Sequence, residues 1–178
     1  FVAGNAARSQ IYRRALDEFE NVPVEGTERG VGPFFSPDGN WLGFLANGQV
    51  QREQLPGGTP PPRFADPSNA GGAGAGGVPD WSGTDTIYLS SGFFSPVVRR
   101  TIQGTTNDAV TTLDPAKSDA GHTCPSLLPG GKVLLFTARS ENVSAFDDAT
   151  IGVQRLDTSE RETLLVGGGL AFVTAALA

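Results

Sequence analysis

A tight turn between two apolar stretches recurs along this 178-residue chain, and the recurrence restricts the fold more than any other feature. In FFSPDGNWLGF, residues 34–44, Pro37 fixes its own φ near about −65° and Asp38-Gly39 is a strong hairpin dipeptide. The aromatic and aliphatic residues from Trp41 onward suit a pleated strand with one buried face. The segment is therefore predicted to be strand, turn, strand.

Two weaker copies of this hairpin follow, PDWSGTDTIYL at 79–89 and PSLLPGGKVLLF at 125–136. Their turn glycines, Gly83 and Gly131, continue a series that starts at Gly39, with spacings of 44 and 48 residues. A single hairpin cannot bury one face of its own sheet, so the copies are expected to pack against one another.

A second unit alternates with these hairpins and consists of a short alternating strand, a polar turn and another strand. Apolar and polar residues alternate with period two, the pattern of a strand with one solvent-exposed face. The four copies lie at 11–26, 49–66, 97–114 and 151–168.

One segment also fits a helix. Residues 7–21 could form an amphipathic helix capped by Ser9, with Ile11, Leu16 and Phe19 on one face. The match of this segment to three other strand-turn-strand segments, and Pro23 just beyond it, favour strands.

Four strands per unit at a spacing in the forties are the signature of a β-propeller blade. With 24 Gly and 13 Pro the chain is rich in turns, as many short strands require. We predict an all-β fold, a partial β-propeller of about three four-stranded blades within one domain, 1–178. The predicted blade units are 9–66, 67–114 and 115–168. Residues 169–178, which include LAFVTAALA, are predicted to be a terminal strand or tail.

The segment FFSPDGNWLGFLANGQVQREQLPGG resembles the repeat of TolB-like propellers, also called WD40-like or PD40 repeats. It is most similar to the extracytoplasmic propellers fused behind bacterial serine/threonine kinases. The resemblance covers roughly residues 9–168, although Asp80-Trp81-Ser82-Gly83 replaces Ser-Pro-Asp-Gly in the second copy. It implies a larger closed ring than about three blades can form, so this chain is expected to be an arc.

An arc exposes unpaired strand edges and an apolar face at each end, which invite another chain. We therefore expect a non-catalytic propeller module that acts as a protein-binding scaffold or sensor, one form being an extrinsic subunit docked on a larger membrane-associated complex. A homodimer that completes the ring is an alternative. The resemblance implies an extracytoplasmic, periplasmic location, with membrane association through a partner or a segment outside this chain.

Composition excludes several other classes. A net charge of −6 with scattered arginines does not suit a nucleic-acid surface. Cys124 is the single cysteine, so neither an internal disulfide nor a thiolate zinc site is expected. No run approaches the roughly 20 apolar residues of a membrane span. The chain begins at Phe1 and contains no Met, which favours a processed or partial product.

His122 is the only histidine, in KSDAGHTCP just before the third repeated hairpin. The resemblance implies that this loop leads to the channel of a propeller, where His122 and Asp119 could bind a ligand. One histidine falls short of the usual metal set, so no metal or cofactor is predicted. The predicted ligand- or partner-binding residues lie on the strand-entry side: Arg29, Gly30, Pro33, Asp119 and His122.

No catalytic residue is predicted. Ser118, Asp119 and His122 are too close in sequence for ordinary triad geometry, and no G-x-S-x-G motif is present. The enzyme alternative is a hydrolase whose channel uses His122 with an acid from another blade. The glycine-rich run 69–79 lacks the Lys of a phosphate loop, and FDDATIG at 146–152 lacks a calcium-loop pattern.

Overall fold

The computed structural model describes residues 1–5, 8–55, 77–83, 85–101, 106–140 and 149–167. These residues form four antiparallel sheets and one short 3₁₀ helix, Pro115–Lys117. Sheet 1 contains β1 (Val2–Ala3), β2 (Gln10–Arg13) and β3 (Val22–Pro23), and sheet 2 contains β4 (Val31–Phe35), β5 (Trp41–Ala46) and β6 (Gln49–Gln54). Sheet 3 contains β7 (Asp80–Ser82), β8 (Thr86–Ser90), β9 (Val97–Thr101) and β10 (Asp108–Ala109), and sheet 4 contains β11 (Asp119–Leu127), β12 (Val133–Ser140), β13 (Thr150–Arg155) and β14 (Arg161–Val166).

Each sheet is a meander in which neighbours in sequence are neighbours in space. The predicted all-β class and partial propeller are confirmed, because the sheets do not close on themselves and follow one another along the chain. The alternative helix over 7–21 is not formed. Residues Gln10–Arg13 are instead a strand that pairs with β1 and β3. In the described part of the chain, no helix is long and apolar enough to cross a membrane.

Three apolar layers join the four sheets, one between each consecutive pair. Their buried side chains are Ile11, Val24, Leu42, Phe44 and Ala46 between sheets 1 and 2, Phe34, Leu45, Val50, Trp81, Ile87, Leu89 and Val98 between sheets 2 and 3, and Tyr88, Val97, Leu134, Phe136 and Ala138 between sheets 3 and 4. Because strand residues alternate between two faces, one face of a middle sheet packs on the preceding sheet and the other on the next.

A proline stands at one shared position of the repeat, within the first strand of sheets 2 and 4 and directly before the first strand of sheet 3. Pro33, Pro79 and Pro125 each precede by two residues a side chain that faces the preceding sheet. The residues before two of these prolines, Gly32 and Cys124, have positive φ values of 56° and 52°, and the pairing register shifts there. Proline interrupts ladder hydrogen bonding, so a bulge is the place where a strand tolerates it.

Sheet 1 corresponds to the last three strands of a complete sheet. Val24 N–H donates to Ile11 O, as Val110 N–H donates to Val97 O in sheet 3. Ile11 N–H donates to the Thr27 hydroxyl at 3.3 Å, as Val97 N–H donates to Thr111 at 2.9 Å. Strands β1, β2 and β3 therefore match β8, β9 and β10, and the described residues contain no counterpart of β7 in sheet 1.

The predicted blade limits stay predictions. The unit 9–66 contributes strands to both sheet 1 and sheet 2, and its boundary with the unit 67–114 lies outside the described residues. The predicted tail 169–178, residues 69–76 of the glycine-rich run and the acids of 146–152 also lie outside them.

Candidate functional site

His122 lies inside strand β11, not in a loop that precedes a strand as predicted. The strand begins three residues earlier because Ser118 takes a left-handed conformation that ends the 3₁₀ helix and redirects the chain into sheet 4. His122 N–H then donates to the carbonyl of Ser95 at 3.0 Å, in the connection between β8 and β9. The side chain is completely buried, so it is part of the contact between sheets 3 and 4.

Both ring nitrogens of His122 have partners. Nδ1 lies 2.8 Å from the hydroxyl of Thr111, and Nε2 lies 3.1 Å from Oδ2 of Asp119. The Thr111 hydroxyl already accepts a hydrogen bond from Val97 N–H, so its own hydrogen is available to Nδ1. Nε2 then carries the proton and donates to the carboxylate, which assigns the neutral Nε2–H tautomer.

Burial lowers the pKa of His122, and the Asp119 carboxylate only partly opposes that change. The ring also packs on Phe136, with centroids 4.5 Å apart, which places the imidazole in an apolar setting. A neutral histidine is therefore the form that this site holds.

The Asp119 carboxylate accepts hydrogen bonds from two groups besides His122. The guanidinium of Arg161 binds both carboxylate oxygens, at 3.3 Å for Oδ1, and Asp114 N–H donates to Oδ2 at 3.1 Å. Burial raises the pKa of Asp119, but these bonds and the one from His122 together hold it below its usual value. Arg161 also lies over the ring of Phe136, with its guanidinium carbon 5.1 Å from the ring centroid. Because Asp119 belongs to β11 and Arg161 to β14, their ion pair connects the first and last strands of sheet 4.

The four side chains form what we call the His122 cluster: Thr111, Asp119, His122 and Arg161. Its acid comes from the same strand as the histidine, whereas the hydrolase interpretation required an acid from another blade. The imidazole has no solvent-exposed surface to offer a substrate. Within the described ranges, no group of three or more His, Cys, Asp or Glu side chains could hold a metal ion.

The other three predicted residues lie in a different part of the molecule, at the start of sheet 2. Arg29 is exposed, has a φ of 63° and donates its N–H to Ser9 O at 2.7 Å. Gly30 is buried and stands three residues before Pro33, as His122 stands three residues before Pro125. A Cβ at Gly30 would lie 2.9 Å from Ile11 Cδ1 and 3.1 Å from Phe44 Cδ2, so no side chain fits there without movement. The structure therefore does not bring the five predicted residues together.

Pro33 lines an apolar groove of about 290 Å³ beside sheet 1. Phe35, which follows it in β4, is 62% exposed, although its counterpart Trp81 is only 5% exposed. We call this feature the sheet 1 groove, and its lining residues are Phe1, Ile11, Tyr12, Arg13, Arg14, Leu16, Val24, Pro33, Phe35, Leu42 and Leu55.

Sequence reasoning missed two members of the His122 cluster, Thr111 and Arg161. A signal for Thr111 was present, because Thr27 follows the matching strand of the first repeat. Nothing near Arg161 in sequence marks it as a partner of Asp119, 42 residues away.

No family model matches this sequence, and no curated protein matches it either. Among solved structures, TolB from Acinetobacter baumannii superposes with a TM-score of 0.63 at 17% sequence identity, over 93% of this chain and 40% of that chain. A chain in the crystal structure of a nidogen/laminin complex superposes with a TM-score of 0.61 at 15% identity, over 93% of this chain and 60% of the other. This chain thus spans less than two thirds of either.

Identities this low establish the fold alone. The stacked meanders, the layered apolar contacts and the two superpositions agree with the resemblance inferred from the repeat. The chain has a TolB-like β-propeller fold, and its described sheets form an open part of such a propeller.

Proposed function

We propose that this chain is a non-catalytic propeller module that binds another protein at the ends of its arc, as a scaffold or sensor. The observation that carries the proposal is the location of its exposed large apolar side chains. Of the eleven such side chains among the described residues, nine lie in sheet 1, its β2–β3 connection or its groove, or in β14: Phe1, Val2, Leu16, Phe19, Val22, Phe35, Leu164, Leu165 and Val166. Apolar surface gathered in this way is typical of a protein contact.

The edge strand β14 supports the proposal. It is six residues long and its last three side chains are at least half exposed. The outer strand β6 is equally long but only its last residue is exposed, and the outer strands β3 and β10 have two residues each. Short edge strands and edge prolines, such as Pro23 in β3, discourage pairing between chains. A longer apolar edge is suited to contact with a partner.

The His122 cluster has a structural role in this proposal. It connects sheet 4 to sheet 3 through Thr111 and connects the two outer strands of sheet 4 through Arg161. The buried cluster holds the scaffold together while the exposed ends bind.

For the location, we propose an extracytoplasmic, periplasmic module, as the resemblance of the repeat to TolB-like propellers implies; the superposition on TolB supports the fold. Docking as an extrinsic subunit on a membrane complex is the more specific form of this proposal.

The experiment is site-directed photo-crosslinking in the cells from which the gene derives. A photoreactive phenylalanine replaces Val166 in β14 or Phe19 near sheet 1, and a matched control carries it at exposed Asp85, in the turn of sheet 3. We expect crosslinks to another protein from position 166 or 19 and none from position 85. Equal crosslinking from all three positions would contradict the proposal. Crosslinks to the same chain alone would instead identify the ring-completing homodimer.

A further inference from the structure

His122 and its neighbour Gly121 make three contacts with sheet 3. The His122 N–H donates to Ser95 O at 3.0 Å in the β8–β9 connection, and Nδ1 accepts the hydroxyl hydrogen of Thr111 at 2.8 Å. Gly121 lies so close to the same connection that a Cβ on it would be 1.9 Å from Phe93 O. Two four-stranded sheets therefore meet at the only histidine of the chain.

The charges of the His122 cluster balance only while the histidine is neutral. The Asp119 carboxylate and the Arg161 guanidinium carry opposite charges, and their side chains are 5% and 11% exposed. A proton on Nδ1 would add a second positive charge, on a side chain with no exposed surface. It would also turn Nδ1 into a donor, so the Thr111 hydroxyl would lose the acceptor for its own hydrogen. The closed contact therefore disfavours protonation of His122.

The charged groups that act on His122 are Asp119 and Arg161. The other charged side chains on the elements packed around β11 have contacts of their own: Asp80 with Leu127 N–H, Asp114 with Lys117, Arg99 with Asp108, and Arg139 over the ring of Phe93. Burial raises the pKa of Asp80, so this carboxyl is a second candidate for titration in weak acid within the contact. The experiment below must therefore separate His122 from Asp80.

Opening the contact would give the imidazole access to water. An exposed histidine has a pKa of about 6.5, so the open form takes up a proton below that pH while the closed form does not. Proton uptake then multiplies the open population about tenfold for each pH unit below about 6.5.

We propose that the contact between sheets 3 and 4 is an acid-sensitive switch, in which one proton from solvent binds Nδ1 of His122 and β11 separates from the β8–β9 connection. Histidine suits such a switch because its charge changes in weak acid. The switch is independent of what the ends of the arc bind.

Cys124, two residues beyond His122 in β11, can report this opening. Its side chain is buried, and a Cβ on Gly77, just before β7 of sheet 3, would lie 2.5 Å from Sγ. Because Cys124 is the single cysteine, one labelling rate describes the whole 178-residue chain. A dithiodipyridine reagent is suitable, since it reacts with thiols in weak acid as well as at neutral pH.

The test compares the labelling rate of Cys124 at about pH 7 and about pH 5, each divided by the rate for the urea-unfolded chain at the same pH. We expect the corrected rate of the wild type to rise about 10- to 25-fold in acid. His122→Gln, whose amide stays neutral, should change by less than about twofold. The matched control is Asp80→Asn, which removes the other candidate group and should keep the rise.

Two further measurements on the wild type separate local opening from unfolding. Amide exchange of Phe44, which is buried between sheets 1 and 2, should stay unchanged between the two pH values after correction for its intrinsic rate. The ring Cε1–H signal of His122 in NMR spectra should titrate over the pH range in which Cys124 becomes reactive.

A corrected labelling rate that does not depend on pH would overturn the proposal, as would an equal rise in His122→Gln or equally faster exchange at Phe44. A ring signal that titrates near about pH 6.5 while Cys124 stays unreactive would also overturn it, because the closed contact would then accept the proton. If His122→Gln does not fold, the Phe44 exchange and the ring titration of the wild type decide the question.

Discussion

Oδ2 of Asp119 lies 3.1 Å from Nε2 of His122, and the same carboxylate binds the guanidinium of Arg161. Asp119 is therefore the shared acceptor of a buried cluster that spans sheet 4. Since a buried charge is costly when its partner is removed, this carboxylate determines how the cluster affects stability.

Removing the charge of Asp119 should destabilise the protein strongly. Asp119→Asn keeps the shape but leaves Arg161, whose side chain is only 11% exposed, without its counter-ion. We expect a loss of about 3–5 kcal/mol in the free energy of unfolding, measured by urea denaturation. The matched control is Asp108→Asn, which removes an exposed pair with Arg99 and should change little. An equal loss of stability in Asp119→Asn and Asp108→Asn would show that the buried ion pair stabilises the fold no more than the exposed one.

The pH dependence of stability should report His122, the only histidine in the chain. Burial lowers its pKa in the folded state, so the unfolded chain takes up the proton at a higher pH. Its contribution is therefore complete above about pH 7 and is lost as the pH falls below about 6.5. We expect the stability difference between the wild type and His122→Gln to shrink between pH 7.5 and 5.5.

A further decrease should come from Asp119, whose pKa is held low in the fold. Its contribution is present above about pH 3.9 and is lost as the pH falls through the folded-state value. Urea denaturation midpoints measured at intervals of one pH unit separate the loss due to His122 from the loss due to Asp119. A stability difference between wild type and His122→Gln that stays constant from pH 7.5 to 5.5 would refute the histidine assignment.

Two adjacent phenylalanines should differ sharply on truncation. Phe34 is 8% exposed and packs on Trp81 between sheets 2 and 3, so Phe34→Ala should cost about 3–5 kcal/mol in unfolding free energy. Phe35→Ala, at the exposed neighbour, should cost far less. Chemical denaturation of both variants tests the assignment of faces. A larger loss of unfolding free energy in Phe35→Ala than in Phe34→Ala would mean that the opposite face of β4 packs on sheet 3.

Gly121 should not tolerate a side chain. A Cβ there would lie 1.9 Å from the carbonyl oxygen of Phe93, a main-chain atom that cannot move alone. We expect Gly121→Ala to separate β11 from the β8–β9 connection and to lower unfolding free energy by about 1–3 kcal/mol. Faster amide exchange at His122, whose N–H bonds Ser95 O, is the specific readout. Unchanged exchange at His122 would contradict this contact.

The repeated turns allowed the hairpins to be predicted from sequence, because Gly39 and Gly131, with φ of 70° at each, are local conformational requirements. The strands on either side of these turns occur where the alternation placed them, at β4–β5 and β11–β12. The shared strand prolines could also have been recognised, since Pro33, Pro79 and Pro125 stand at one position of the repeat.

The candidate site was less predictable. Gly30 and His122 occupy equivalent positions, yet one accepts no side chain and the other anchors a cluster, because their surroundings come from different neighbouring sheets. The placement of His122 inside a strand followed from the turn at Ser118, which the local pattern did not reveal.

By itself, the sequence determined the strands, their turns and the stacking of similar sheets, since these depend on local dihedral preferences and on period-two apolar patterning. Only the tertiary structure decided which polar residues meet, that Phe35 is uncovered while Trp81 is not, and that Arg161 reaches Asp119. Such contacts join residues far apart in the chain, and no local pattern specifies them, because they depend on how each sheet packs on the next.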